Sequence, residues 1–340
     1  MSMYEKIYTI GKVRRQNQYT IADREGFYLV KPGEQLAWRY EVVRVIDAGA
    51  FGQVIKCIDF KDPQQKIVAA KISKNKKFDV DNANVEVKIL RKLQGGNAND
   101  NEGRDSIVDY KDSFKFRQHV VIIFECLCHN LYKYMNMHKR YKPIFQKDQL
   151  RDISRQICQG LKYMQNQSVI HCDMKPENIL FTDEQYNRVK IIDFGASCED
   201  CSTGFFYVQS RYYRAPEIVL GLHYDHAVDM WSLGCILYEL VCGSPLFPAH
   251  DENELFEYFV VTIGEFPGYM LSQAKKYKQF YSQPGGKLQH LIRSQASCLG
   301  DHIVPKSQTL DHLLNSKAAP EMINFVKKCL ALEPEDRMTP

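Results

Sequence analysis

Two loops of this sequence carry clustered polar side chains beside apolar segments. Within residues 169–180, Asp173, Lys175 and Asn178 occupy a stretch of six positions between two apolar runs. Such a grouping is energetically costly unless the polar groups contact a ligand or each other. A second acid, Asp193, ends another apolar run and precedes Phe-Gly. Each acid alone is more often an ordinary loop carboxylate, but carboxylate and amide oxygens together suit Mg²⁺, and the set predicts a magnesium site.

An earlier pattern suits phosphate binding and ion pairing. Gly49 and Gly52 lie at a turn between two strand candidates, where backbone N–H groups can approach a phosphate that a Cβ would obstruct. Glycine in a hairpin is usually only a turn residue, so this signal is weak by itself. Lys71 then follows on an apolar strand, and Glu86 on the next helix is a candidate ion-pair partner. A lone strand lysine is more often a surface charge. The functional interpretation therefore depends on finding the glycines, the lysine and the glutamate together in this order.

The elements that must position these residues begin with a β-rich region. Short runs rich in β-branched residues, separated by turn residues, predict a small five-stranded sheet. The predicted strands are Tyr40–Ile46, Gln53–Ile58, Ile67–Ile72, Ile107–Lys115 and His119–Glu125. One helix is predicted over Asn84–Leu93, because apolar residues recur there on a single helical face.

Beyond about Cys126 the pattern is helical. Apolar residues recur every three or four positions over Gln149–Gln165. Residues Met230–Val241 are apolar on nearly every side, which is typical of a helix buried in the middle of a lobe. The predicted fold class is therefore α+β, with a small β-rich lobe, a larger α-helical lobe and a hinge near residues 125–129.

Composition and charge exclude several classes of protein. A chain of 340 residues with 44% hydrophobic and 25% charged residues is a globular protein that suits two lobes. The net charge of +4, without a basic stripe and interleaved aromatics, argues against nucleic acid as a partner. No secretory signal or membrane-spanning run is visible, so we expect no membrane partner and a cytoplasmic or nuclear location.

The eleven cysteines are too sparse for a disulfide scaffold. Several, such as Cys158 and Cys235, lie in apolar runs and are interpreted as core residues of a protein in a reducing compartment. Cys198 and Cys201 form a single CxxC pair without a second pair at zinc spacing, so a metal or redox role there is only a minor alternative.

Taken in order, these motifs resemble the protein kinase catalytic domain over residues 40–340. The motifs are the glycine-rich segment, Val68-Ala-Ala-Lys71, Glu86, His171-Cys-Asp173 through Asn178, Asp193-Phe-Gly195 and Ala215-Pro-Glu217. Within the kinases the sequence resembles the dual-specificity tyrosine-regulated (DYRK) family of the CMGC group. The features that carry this resemblance are His-Cys-Asp in place of His-Arg-Asp, Asp-Phe-Gly-Ala-Ser-Cys, and Tyr207-Val-Gln-Ser-Arg211. The related homeodomain-interacting kinases, which usually lack His-Cys-Asp, are the alternative.

The resemblance implies an ATP- and Mg²⁺-dependent transfer of phosphate to protein Ser or Thr. Asp173 would accept or orient the hydroxyl proton of the substrate, Lys175 would contact the γ-phosphate, and Asn178 and Asp193 would hold Mg²⁺. Glu86 would hold Lys71 against the α- and β-phosphates. The implied ATP-binding residues are Ile46, Gly49, Phe51, Gly52, Val54, Ala69, Lys71, Phe124, Glu125, Leu127 and Leu180, with Glu125 and Leu127 offering backbone groups to adenine.

The resemblance also implies a mode of activation. Tyr207 would be autophosphorylated, and Arg211 and Arg214 would be the forked donors that hold the phosphotyrosine. An arginine normally precedes the catalytic aspartate and binds the activation phosphate, and Cys172 cannot take that role. Glu217 and Arg337 would form an ion pair that fastens the activation segment.

Substrates and domain limits follow from the same resemblance. We expect a proline after the target Ser or Thr, with Arg214 shaping the pocket, and a docking partner at the 262–320 insert. Residues 1–39 are interpreted as an N-terminal extension like the segment that precedes the domain in this family. The lobes are placed at 40–126 and 127–340, and at least one more helix is expected after residue 340.

Two departures from the family pattern keep a rival open. Asp47 replaces the first glycine of the phosphate loop and adds a Cβ and a negative charge. This change, together with the short C-terminus, is the main support for a pseudokinase scaffold that binds partners without transferring phosphate. The complete set Lys71, Glu86, Asp173, Asn178 and Asp193 argues against that rival, because pseudokinases commonly lose one or more of them.

Overall fold

The computed structural model describes residues 21–49, 52–95, 102–199, 208–299, 303–315 and 317–340. They form two compact units. The first contains the described residues of Met1–Gly95 and Val108–Leu127, and the second those of Gly96–Ile107 and Cys128–Pro340. Phe51, Cys201 and Tyr207, which the sequence analysis singled out, lie outside the described residues.

The first unit is an antiparallel sheet with one helix. Its six strands are β1 (Gln35–Leu36), β2 (Tyr40–Gly49), β3 (Gly52–Asp59), β4 (Ile67–Ser73), β5 (Tyr110–Phe116) and β6 (His119–Glu125), in the order β1-β2-β3-β4-β6-β5. The helix is α1 (Lys77–Gln94). The bilobal kinase type of fold with a β-rich first lobe is confirmed. In this unit, the strand that the sequence did not predict is β1, which is only two residues long and too short to show alternation.

The pleat of this sheet separates a core face from a face with partly exposed side chains. Along β3 and β4, Ile55, Cys57, Val68 and Ala70 are fully buried, whereas the residues between them are half-buried. Because successive side chains point to opposite faces, the half-buried face is a single surface that carries Lys71.

The described part of the predicted extension packs on this sheet. Tyr28 and Leu36 belong to its apolar core. The Tyr28 hydroxyl donates to Glu34 at 2.7 Å, and Arg117 Nη1 donates to both partners at 2.8 Å. The carbonyl oxygen of Tyr28 accepts from the buried Gln53 side chain on β3 at 2.6 Å. Residues 21–39 therefore contribute to the stability of the first unit through burial as well as hydrogen bonds.

The second unit is mainly helical. Its helices are α2 (Leu131–His138), α3 (Lys147–Asn166), α4 (Pro216–Leu220), α5 (Ala227–Cys242), α6 (Glu252–Thr262), α7 (Gly268–Gln273), α8 (Tyr277–Phe280), α9 (Leu310–Leu314) and α10 (Pro320–Cys329). Two small antiparallel ladders pair β7 (Val169–Ile170) with β10 (Cys198–Glu199), and β8 (Ile179–Phe181) with β9 (Val189–Ile191). None of the helices in the described ranges has both the length and the apolar character needed to cross a membrane.

Helix α5 lies in the core of the second unit. Trp231 is fully buried between Phe247 and Phe259, as the all-round apolar pattern predicts. Gly234 lets α10 approach closely, because a Cβ there would lie 2.7 Å from Leu330 and 2.9 Å from Cys329. A buried polar residue at the start of this helix, Asp229, positions the loop described next.

Candidate active site

The backbone of the loop after β7 is fixed by hydrogen bonds to Asp229. Its carboxylate accepts the backbone N–H of His171 at 2.7 Å and that of Cys172 at 3.0 Å. Burial raises the pKa of Asp229, and these hydrogen bonds oppose that shift. Cys172 adopts a left-handed backbone with φ of 62°, a conformation that a non-glycine side chain disfavours. The two N–H bonds stabilise this strained turn, and the turn presents the next residue, Asp173.

Asp173 is fixed on both carboxylate oxygens. Oδ1 accepts from the Ser210 hydroxyl at 2.7 Å and from the Ser210 backbone N–H at 3.1 Å. Oδ2 accepts from Lys175 Nζ at 2.7 Å, and the Asn178 amide donates to it at 3.3 Å. A carboxylate held by a cation and several donors keeps one rotamer, and the Asp173 side chain is also partly exposed. Both properties suit a group that orients a hydroxyl or accepts its proton.

Asn178 and Asp193 lie at the same end of the β8–β9 ladder. Ile179 pairs with Ile191, so the residue before β8 and the residues after β9 are neighbours. The Ile192 N–H donates to the Asn178 carbonyl at 2.9 Å. Asn178 uses its amide nitrogen on the Asp173 carbonyl at 2.8 Å, which leaves Oδ1 as its metal-binding atom. The carboxylate of Asp193 and the amide oxygen of Asn178 form an oxygen set that fits Mg²⁺.

The first unit places Lys71 against Glu86. The Lys71 ammonium on β4 donates to both carboxylate oxygens of Glu86 on α1, at 2.7 and 2.8 Å. Glu86 is 2% exposed. A buried carboxylate requires a partner, since an unpaired ion in a low-dielectric environment is costly. The structure thus brings together the two residues that the sequence had proposed as a pair.

Several of the expected nucleotide-binding residues of the first unit lie on the face of the sheet that carries Lys71. Val54 and Lys71 are paired across β3 and β4, Ala69 lies two residues from Lys71, and Phe124 on β6 is paired with Ala69. Other expected residues of the first unit are Ile46, which is exposed on β2, Gly49, Gly52, Glu125 and Leu127. Leu180 belongs to the second unit, on β8.

The glycine requirement of the predicted phosphate loop differs between its two described glycines. A Cβ at Gly52 would lie 2.2 Å from the carbonyl oxygen of Ile72, so close strand packing alone demands glycine there. Gly49 has open space around its Cβ position, so the described contacts do not demand a glycine there. Asp47 pairs with Val54, and its carboxylate accepts the Ala48 N–H at 2.9 Å. That bond gives the unusual residue a local role in the turn.

The two arginines that the sequence assigned to a phosphotyrosine have different surroundings. Arg214 is buried and donates to the carbonyls of Val208 at 3.0 Å and Gln209 at 2.8 Å, and to Glu252 at 2.9 Å. Arg211 donates from Nη1 to the His250 carbonyl at 2.6 Å. Its Nε is buried and has no hydrogen-bond partner within the described ranges. Arg211 is therefore the better-placed donor for an anion, since every Arg214 nitrogen already has a partner.

Glu217 and Arg337 are joined in the core of the second unit. The Arg337 guanidinium makes a two-pronged contact with the Glu217 carboxylate, with Nη2 to Oε2 at 2.6 Å. The two side chains are 1% and 0% exposed. Arg337 also donates to the carbonyls of Ala331 and Leu332, and its guanidinium lies 5.1 Å from the Trp231 ring. The remaining donors of the buried cation are thereby satisfied.

Three residues with structural roles near Asp173, namely Gln209, Ser210 and Asp229, had no role predicted from the sequence. Ser210 contacts Asp173 and Lys175 although it is 37 and 35 residues away in the chain. Gln209 bonds Ser232 at 2.9 Å and the Ala215 N–H at 2.8 Å, which fixes the segment after residue 207. The available signal was polarity within the apolar surroundings of α5, where Asp229 and Ser232 stand out.

Glu239 makes the stability of the second unit depend on pH. Burial and the nearby Glu177 raise its pKa from 4.5 to about 7, and the 2.7 Å hydrogen bond from Tyr213 opposes the shift. Because the folded-state pKa is raised, the stabilising contribution is complete below about pH 4.5 and is lost as the pH rises through 7.

We therefore expect Glu239→Gln to flatten the pH dependence of the unfolding free energy. The amide that this substitution introduces keeps an acceptor for Tyr213 and has no charge to desolvate. Relative to this variant, the wild type should lose about 3 kcal/mol between pH 4.5 and 8, at about 1.4 kcal/mol per pKa unit. Denaturant unfolding at several pH values measures the difference. Parallel curves for the two proteins would contradict this account of Glu239.

Comparison with known proteins places this arrangement in a family. The protein kinase domain model matches residues 40–340. The chain belongs to the protein kinase family. This kinase domain also has DYRK-type relatives, so the resemblance to that family is confirmed.

Three relatives illustrate the similarity. The serine/threonine-protein kinase ppk5 of Schizosaccharomyces pombe is 36% identical over 349 residues, which covers 99% of this chain and 40% of that protein. The DYRK-family kinase pom1 of the same organism is 36% identical over 348 residues, covering 99% and 31%. Dual specificity tyrosine-phosphorylation-regulated kinase 4 of Homo sapiens is 39% identical over 321 residues, covering 94% and 59%. The chain thus spans about a third to three fifths of the length of these relatives.

Proposed function

We propose that this kinase domain transfers the γ-phosphate of ATP to serine or threonine hydroxyls of proteins, with Mg²⁺. The observation that carries the proposal is the fixed carboxylate of Asp173, held by Lys175, Ser210 and Asn178 at one end of the β8–β9 ladder. The names of the curated relatives support the same class of reaction.

The chain's own residues have separate tasks in this reaction. Asp173 orients the substrate hydroxyl and accepts its proton as the new P–O bond forms and the bond to ADP breaks. Lys175, 2.7 Å from that carboxylate, carries a positive charge beside the transferred phosphoryl group. Lys71 in the first unit, oriented by Glu86, binds the other phosphates.

ATP is the substrate and Mg²⁺ the cofactor in this proposal. Asn178 and Asp193 would hold the metal, which neutralises negative charge on the phosphates when it is bound. The donor chemistry fits, because the Asn178 nitrogen is engaged with Asp173 and its oxygen is the remaining ligand atom. Asp193 has a left-handed backbone with φ of 64°, a strained conformation that is typical of functional positions.

The contacts of Arg214 support a preference for proline after the target residue. Its guanidinium donates hydrogen bonds to the backbone carbonyls of Val208 and Gln209. These residues directly precede Ser210, which contacts Asp173. Gln209 has a left-handed backbone with φ of 66°, which turns that carbonyl toward the arginine. The arginine therefore competes with a substrate N–H for these carbonyls, and a proline at that position brings no N–H to leave unsatisfied.

Paired peptides test this preference. We expect a peptide with Ser-Pro to be phosphorylated with a kcat/KM about 10- to 100-fold higher than the same peptide with Ser-Ala, since a buried unsatisfied donor costs about 1–3 kcal/mol. Steady-state assays at several peptide concentrations measure the ratio. A peptide with N-methylalanine in place of proline is a matched control and should behave like the proline peptide. Equal rates for the proline and alanine peptides would contradict the argument.

Regulation by Tyr207 is part of the same proposal. Tyr207 lies outside the described residues, one position before Val208. A phosphate there adds a charge of about −1.5 to −2. Arg211 Nε, which is buried and has no partner within the described ranges, is the donor that we assign to it. Of the remaining expectations, the docking partner at residues 262–320 and the cytoplasmic or nuclear location stay predictions.

A further inference from the structure

A mixed cluster of imidazole, carboxylate and thiol lies in the second unit, apart from the residues assigned to phosphate transfer. One ligand atom each of His250, Glu254 and Cys298 lies within 4.8 Å of the other two. His250 precedes the N-cap residue of α6, Glu254 lies four positions later in the first turn of that helix, and Cys298 belongs to the loop after residue 293. The imidazole Nδ1 is 2.8 Å from Glu254 Oε2.

The loop that carries Cys298 is fixed against α6 by two buried acids. Glu254 accepts the Cys298 backbone N–H at 2.9 Å. Glu257, one turn later, accepts the Ser294 backbone N–H at 2.7 Å and the Ser297 hydroxyl at 2.5 Å. These bonds hold the backbone of Cys298 beside Glu254 whether or not a metal is bound, so the thiol stays within a side-chain rotation of the carboxylate and the imidazole.

The ligand atoms of the three groups are of the types that bind zinc rather than magnesium or calcium. Nitrogen, carboxylate oxygen and thiolate sulfur are the ligands of Zn²⁺, whereas Mg²⁺ and Ca²⁺ prefer oxygen alone. In a tetrahedral zinc site the ligand atoms are about 3.3–3.7 Å apart. Atoms within 4.8 Å, two of them 2.8 Å apart, reach that geometry through shifts on the order of one ångström.

The exposure of two of the groups also suits a metal. Glu254 is buried, and its carboxylate accepts the backbone N–H groups of His250 and Cys298. The His250 side chain is 61% exposed and Cys298 is exposed, so a metal ion and a water molecule can reach them.

We propose that His250, Glu254 and Cys298 form a Zn²⁺ site with water as the fourth ligand. On binding, the Cys298 thiol releases its proton to solvent, and the Nδ1 proton that His250 donates to Glu254 is transferred through solvent to Nε2, so that Nδ1 becomes the ligand. No redox step is involved. The site fastens the loop at Cys298 to the start of α6. It does not depend on the proposed kinase activity.

The same site is connected to the segment near Asp173. The carbonyl oxygen of His250 accepts from Arg211 Nη1 at 2.6 Å, and Arg211 is adjacent to Ser210. The backbone N–H of His250 donates to Glu254 at 2.6 Å. A metal bound to the side chains of His250 and Glu254 therefore reduces the motion of the residue that holds Arg211.

Cobalt titration tests the site. The metal-free, reduced full chain is titrated with Co²⁺, which substitutes for Zn²⁺ and shows a thiolate charge-transfer absorption band. The variants are Cys298→Ser and His250→Ala, whose wild-type side chains are exposed and whose replacement leaves the buried Glu254 in place. Cys242→Ser, at the end of α5, is the matched control for loss of a thiol. Denaturant unfolding of each protein verifies that it is folded.

We expect the wild type and Cys242→Ser to bind one equivalent of Co²⁺ and to show the thiolate charge-transfer band. Cys298→Ser should lose the band, both site variants should bind at least about tenfold more weakly, and added Zn²⁺ should displace Co²⁺. No band in the wild type would show that the cluster is only a hydrogen-bonded support and would overturn the proposal. A band that persists in Cys298→Ser would place the metal at another thiol and would overturn it as well.

Discussion

Replacing Asp173 with asparagine should lower the rate of phosphate transfer to a peptide serine by about 10²- to 10⁴-fold. Asparagine has the same shape and keeps one oxygen for the Ser210 donors. It cannot accept the hydroxyl proton, and it loses the ion pair with Lys175, which is 2.7 Å long in the wild type. Single-turnover assays with saturating nucleotide and Mg²⁺ measure the chemical step, and nucleotide titration measures binding separately.

A surface aspartate provides the control for this substitution. Asp148 in the first turn of α3 is 81% exposed and forms only a surface ion pair with Arg151, so Asp148→Asn should leave the transfer rate unchanged. Nucleotide affinity should change little in Asp173→Asn, because the residue is assigned to the hydroxyl of the protein substrate. A transfer rate within threefold of wild type in folded Asp173→Asn would remove this residue from the proposed chemistry.

Arg337→Met should destabilise the second unit by about 3–5 kcal/mol. The substitution leaves the Glu217 carboxylate buried at 1% exposure without its cation, and it also removes donors from the carbonyls of Ala331 and Leu332. Denaturant unfolding in a Trp38→Phe background, where the fluorescence reports Trp231 beside the guanidinium, measures the change in free energy.

Two further variants separate the cost of the orphaned charge from the value of the pair. Glu217→Leu combined with Arg337→Met removes both charges and should recover much of the lost stability, because a buried pair is often close to neutral against apolar replacements. Lys327→Met breaks an ion pair with Asp311 whose side chains are 47% and 63% exposed, and it should cost no more than about 1 kcal/mol. If Arg337→Met is as mild as Lys327→Met, the buried pair does not have the structural importance assigned to it.

The elements with strong local patterns were predictable from the sequence. The amphipathic period of α3 and the all-round apolar character of α5 gave both helices to within three residues at each end. Helix α1 begins at Lys77, whereas the predicted helix began at Asn84. The prediction missed the first turns because they break the apolar period: Phe78 is 68% exposed and Asp79 is buried. Sequence periodicity cannot anticipate such exchanges, since they depend on which side the sheet covers.

The candidate site was predictable where its chemistry lies in one loop. Asp173, Lys175 and Asn178 are close in the chain, and the structure adds their hydrogen bonds. The contacts that fix them come from Ser210 and Asp229, more than 30 residues away, and no local pattern reports such distances. The hydrogen bonds of Arg214 were also not predictable from a local pattern, because they depend on Glu252 and on the backbone turn at Gln209.

The roles assigned to these residues all depend on transfer of phosphate from ATP by this chain. Phosphopeptide mapping of protein produced in a host without tyrosine kinases tests that transfer, with an Asp193→Asn variant alongside. Asparagine tolerates the left-handed backbone of Asp193 and removes the charge that would hold Mg²⁺. We expect phosphate on Tyr207 in the wild type and none in Asp193→Asn, and phosphate on an added Ser-Pro peptide only with the wild type, ATP and Mg²⁺. A folded, nucleotide-binding wild-type protein that phosphorylates neither Tyr207 nor the peptide would contradict the account and favour the scaffold.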